Sequence, residues 1–87
     1  MNMIYFGIRM AGARNEQRIT QKELAQMCGI TETRIQQLER GHARGVRLDT
    51  AALIADALHM SLDVLAGRAD RAYIHEGYGS DMEGYPI

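Results

Sequence analysis

The densest run of hydrogen-bonding side chains in the sequence is Thr31-Glu32-Thr33-Arg34-Ile35-Gln36-Gln37-Leu38-Glu39-Arg40. Ile35 and Leu38, three apart, mark the inward face of a helix. On a helical wheel Thr33 and Arg40 then point most directly away, Gln36 and Gln37 also point outward, and Glu32 and Arg34 sit on the flanks. A short helix presenting Thr, Gln, Gln and Arg fits the major groove of B-DNA. Each base pair there shows a distinct pattern of donors and acceptors. Glu32 suits the positive end of a helix dipole by about 0.3–1 kcal/mol, and it can equally accept from cytosine N4. Arg34 reads as a phosphate clamp or a solvated flank rather than a reader of bases.

The other reactive side chains converge on no competing chemistry. Cys28 stands alone at an apolar helix position and reads as a small core residue. His42, His59 and His75 share no ligand spacing. His59 lies one turn from Asp56 and from Asp63, which is too little for a zinc site. No Ser/His/Asp grouping or phosphate loop stands out, and 87 residues leave little room for a substrate cleft. No catalytic residue, metal or cofactor is expected, so the chain is expected not to be an enzyme.

The elements that must position the polar run can be read locally. Met3, Phe6, Met10 and Ala13 recur at helical spacing over residues 3 to 17, although Gly7 and Gly12 each cost such a helix roughly 1 kcal/mol against Ala. Thr20-Gln21-Lys22-Glu23 is a capping box that opens a second helix through Leu24, Ala25, Met27 and Cys28. Gly29 stops that helix in a left-handed turn. Thr31 caps the third helix, which ends at Arg40-Gly41. Two short helices about a tight glycine turn suggest a helix-turn-helix. A loop follows from His42 to Arg47. Leu48 to Leu58 is apolar on most sides and is expected to be the central helix. Ser61 caps a short fifth helix, Leu62 to Leu65, with Gly67 ending it. The fold class expected is all-α, with five helices.

Composition limits the partners. Ten basic against eleven acidic residues give a net charge of -1, which excludes binding to polyanions by bulk charge alone. The charge is uneven. Residues 1–60 carry eight basic and six acidic side chains, while 61–87 carry two and five. The single cysteine excludes a disulfide-stapled scaffold. No apolar run approaches the ~20 residues of a membrane span, and no secretory signal pattern opens the chain. A cytoplasmic protein is expected.

With these motifs in place, the sequence resembles the lambda-repressor-like, Cro/XRE-type helix-turn-helix regulators. The matching residues are Thr20-Gln21-Lys22-Glu23-Leu24-Ala25, Gly29-Ile30-Thr31 and Ile35-Gln36-Gln37-Leu38-Glu39-Arg40-Gly41. The match continues through Leu48-Asp49-Thr50, Ala55-Asp56-Ala57-Leu58 and Ser61-Leu62-Asp63-Val64-Leu65. It covers roughly residues 9 to 67 and implies a compact five-helix DNA-binding domain over 1–67, followed by an acidic Gly/Tyr-containing extension over 68–87. The resemblance implies that Thr31, Glu32, Thr33 and Gln37 meet base edges or nearby phosphates, and Gln36, outward on the wheel, is expected to read bases beside them. It implies phosphate contacts for Gln21, Arg40, His42 and Arg44, and Arg34 joins them as the expected clamp on the flank. It further implies that Gln21 braces the reading helix, and that Arg14 and Glu39 form a partly buried salt bridge between the first and third helices. Arg18 stands where the family has a glycine, and the loop from Gly41 to Leu48 lacks the family's proline.

The function expected is a sequence-specific regulator of transcription, a repressor, bound to double-stranded DNA as a homodimer. Half-sites would lie about one helical turn, ~34 Å, apart. The fifth helix and the extension, with Tyr73, Ile74, Tyr78, Tyr85 and Ile87, are the expected dimerisation segment. The alternatives are an antitoxin or restriction-modification controller with a protein partner, and a protein-interaction module that keeps the fold without binding DNA.

Overall fold

A helix leaves its first amide groups without partners, and four of the five helices among the described residues begin where a side chain accepts from them. The structure, a computed structural model, describes residues 1–68. Helix α1 spans Met3–Glu16, and Asn2 accepts from the Ile4 and Tyr5 amides. Helix α2 spans Gln21–Cys28 behind the complete Thr20–Glu23 capping box, and Gly29 closes it at φ +70°. Helix α3 spans Glu32–Glu39, with the Thr31 hydroxyl accepting from the Arg34 amide at 3.1 Å. Helix α4 spans Leu48–Ala57. Helix α5 spans Leu62–Leu65 behind Ser61. Only α4 begins without a side-chain cap bond, at Arg47.

Phe6, Met10, Leu24, Ile35, Leu38, Ile54, Leu58 and Leu65 are the largest fully buried side chains, and they meet in a single cluster. They are supplied by all five helices and by Leu58, the cap of α4. The core is aliphatic apart from Phe6. Helix α3 packs against both α1 and α2, whereas α4 packs against α2 and α5. This corrects the expectation for α4. Its inward side holds Ala51, Ile54 and Ala55, but Leu48 is 74% exposed and Leu53 48% exposed. An apolar circumference does not make a helix central unless neighbours cover every side, and here they cover one.

Two details set the path of the chain into the second helix. Arg18 adopts φ +58° at the end of α1, so an arginine occupies the left-handed conformation that a glycine takes at no steric cost. Gly7 lies where α1 meets the end of α3. A Cβ there would run into the Leu38 carbonyl oxygen and sit 2.8 Å from that of Glu39. The glycine therefore lets one helix backbone touch another. Gly12, in the same helix, has nothing within 4 Å of its Cβ direction.

Candidate nucleic-acid interface

The inner side of α3 fixes its outer side. Ile35 and Leu38 are fully buried. The last residue, Glu39, is held by charge. Arg14 on α1 donates through Nε to Glu39 Oε2 at 2.7 Å and through Nη2 to Oε1 at 3.0 Å. Its Nη1 donates to the Ile19 carbonyl at 2.8 Å. Gln21, the first residue of α2, donates Nε2 to Glu39 Oε1 at 3.0 Å. The two charged side chains are 12% and 6% exposed. A paired, nearly dry guanidinium and carboxylate of this geometry hold orientation strongly, because losing one partner strands the other charge. One carboxylate thus ties together α1, α2 and α3.

With that side anchored, the opposite side of α3 faces solvent. Glu32, Thr33, Gln37 and Arg40 are exposed. Gln36 is half-buried on the flank, not fully outward as the wheel suggested, because it directly follows buried Ile35. Thr31 is exposed but its hydroxyl oxygen is engaged as the cap of α3. Arg34 is half-buried, and its Nη2 donates to the Gly45 carbonyl at 3.0 Å. It therefore clasps the loop that follows α3. His42 and Arg44 are exposed on that loop, and the His42 amide donates to the Gln37 carbonyl at 3.0 Å. Gln21 is half-buried, turned toward Glu39. The structure thus brings Thr33, Gln37, Arg40, His42 and Arg44 onto α3 and the loop leaving it. Arg14 and Glu39 sit beneath, as a pair.

Several positioning residues carry no signal in the sequence. Arg9 donates Nε to the Leu65 carbonyl at 2.9 Å and lies across Gly67, whose Cβ would fall 2.8 Å from the guanidinium carbon. It clamps α5 to α1. Gln17 donates to the Leu58 carbonyl at 2.7 Å. Both are polar residues on an otherwise ordinary helix flank, and their targets are backbone atoms 56 and 41 residues away. Gly7 did leave a trace, since it adjoins Phe6 and falls three residues before Met10 on the inward side. Burial pushes the Cys28 thiol above its ordinary range, which makes it an unreactive core group.

A short polar helix, seated by its inner side at a glycine turn and followed by a cationic loop, defines a helix-turn-helix DNA-binding regulator. The chain belongs to the helix-turn-helix family of the Cro/XRE type, whose match spans residues 11–65. A solved structure, that of the SinR protein–SinI protein complex, is similar to it with a TM-score of 0.67. That similarity covers 94% of this chain and 82% of the other at 19% sequence identity, a level at which it speaks for the fold. No curated protein matches the sequence. Among the described residues no helix is long and apolar enough to cross a membrane.

Proposed function

We propose that the protein represses transcription by reading a specific double-stranded sequence with α3 in the major groove. Residues 1–67 are the reading unit. Thr33 and Gln37 meet base edges, with Thr31, Glu32 and Gln36 beside them. Gln21, Arg34, Arg40, His42 and Arg44 engage phosphates and fix the register. The observation that carries this is the split character of α3: its inner side is locked by Ile35, Leu38 and the Arg14–Glu39 pair, and its outer side is left polar and exposed. Glu32 works against the phosphates and so disfavours loose, nonspecific binding. One such helix reads few base pairs, so two copies on a pseudo-palindrome are required, with half-sites about 34 Å apart.

Selection of bound duplexes from a random pool tests this directly, and a two-fold symmetric consensus is the expected result. The double variant Thr33→Ala, Gln37→Ala should lose preference for that consensus while remaining folded. Arg44→Ala should weaken binding to all sequences alike and lower the salt dependence by about one unit of slope. Unchanged preference in the double variant would remove α3 from the reading role.

A protein partner is a second reading, supported by the solved complex of SinR with SinI, in which a structurally similar chain is bound to another protein. The extension, 68–87, is the segment proposed for it and for dimerisation. Residues 69–87 lie outside the described residues. Co-purification of a second small protein with the full chain is the test.

A further inference from the structure

Helix α1 is apolar on both sides. Phe6, Met10 and Ala13 enter the core, while Ile4, Tyr5 and Ile8 lie outside it and are 59%, 57% and 57% exposed, Ile4 with one edge against Gly41. Ala11 and Gly12 continue that outer side at i+7 and i+8 from Ile4. No charged side chain interrupts it. Arg9 is the only ionised side chain among residues 3–13, and it is turned to the Leu65 carbonyl. Gly12 is unexplained within the chain, since a Cβ there would meet nothing within 4 Å and glycine in a helix interior costs roughly 1 kcal/mol against Ala.

The pattern is complementary to itself in one arrangement. The outer side is bulky at residues 4 and 5, medium at 8, and small at 11 and 12. When a second copy of the helix runs antiparallel about a two-fold axis at Ile8, residues 4 and 5 of one copy fall against residues 12 and 11 of the other. Bulk then meets space at both ends, and Ile8 meets Ile8 on the axis. A parallel pair would stack Tyr5 on Tyr5 and leave a void between the two glycines. We propose that the outer side of α1 is an association surface for a second copy of this chain, packed antiparallel about Ile8. The contact is isologous and brings no like charges together. It gives the homodimer of the functional reading above a contact surface besides the extension, and rests on that reading. From Ile4 to Gly12 it is about 12 Å long, which falls short of the ~800 Å² per partner of a standard interface. The pair is therefore a weak one that dissociates on dilution.

Sedimentation of the full chain over a concentration series, without DNA, tests the surface. A monomer–dimer equilibrium is expected, and Ile8→Asp should raise its dissociation constant about tenfold or more by setting two carboxylates on the axis. Ile8 is exposed, so that variant should keep the helical circular dichroism of the parent. Register is tested by mild oxidation of cysteine variants, Cys28 being buried. Ile8→Cys should cross-link to itself. Gly12→Cys should cross-link with Ile4→Cys in a mixture, and poorly with itself. A chain that stays monomeric throughout overturns the proposal. So does an association that survives Ile8→Asp and is lost instead in Leu48→Asp, on the groove of about 330 Å³ between α4 and α5. Because no DNA is present, these outcomes are separable from failure of the operator selection, which would sink the DNA-reading role and leave α1 association standing.

Discussion

The two ends of the reading surface are held in different ways. The end of α3 is locked from beneath. Glu39 accepts from Arg14 twice and from Gln21 once, and its backbone lies against Gly7. The loop that follows is held by far less. Arg34 reaches the Gly45 carbonyl from a half-exposed position, and the Arg47–Asp49 pair at the start of α4 is 83% and 67% exposed. Helix α4 itself begins without a side-chain cap. The difference fits the two tasks proposed above. A helix that hydrogen-bonds base edges must be placed within a fraction of an ångström, whereas a loop that follows a phosphate backbone gains from yielding to it.

Substitutions on either side should break or sharpen this contrast. Glu39→Ala should cost the most, about 3–5 kcal/mol, because it strands a nearly buried guanidinium. A fall in the urea midpoint, with specific DNA binding lost in parallel, is the expected observation. Gly7→Ala should cost about 3 kcal/mol by driving a methyl into backbone carbonyls that cannot move aside, read as a drop in melting temperature. Arg18→Gly should go the other way. A left-handed L-residue costs roughly 1–2 kcal/mol, and the added freedom of glycine when unfolded takes back about half. A gain of about 0.5–1 kcal/mol in thermal unfolding should result. Arg47→Ala, on the lightly held side, should change stability by no more than about 0.5 kcal/mol. If Arg47→Ala proved as damaging as Glu39→Ala, the contrast between the two regions would be false.

What was legible in the sequence was what is local. Thr20, Gly29, Thr31 and Ser61 act on amides or turns within a few residues of themselves, so their spacing alone located four helix ends. The inward pattern of Phe6, Met10, Ala13, Ile35 and Leu38 was equally plain, because periodicity is a property of one helix. The Arg14–Glu39 pair, 25 residues apart and 2.7 Å from nitrogen to oxygen, is visible in the sequence only through family resemblance. Where two elements had to meet, residue type was silent. Helix α4 is apolar nearly all round, and nothing in its own sequence says that Leu48 and Leu53 find no neighbour. Gly7 and Gly12 look alike on paper, yet one is pressed against carbonyls and the other opens on solvent. The same applies to Arg34: its flank position follows from helical periodicity, but its bond to a carbonyl 11 residues on does not.

Helix α3 has only eight residues, and its anchoring falls on Ile35, Leu38 and Glu39. Glu32, Thr33 and Gln37 contribute nothing to that seat. The helix therefore behaves as an interchangeable cartridge. In the proposed reading, its outer letters can be rewritten to address a new operator while the socket beneath stays as it is.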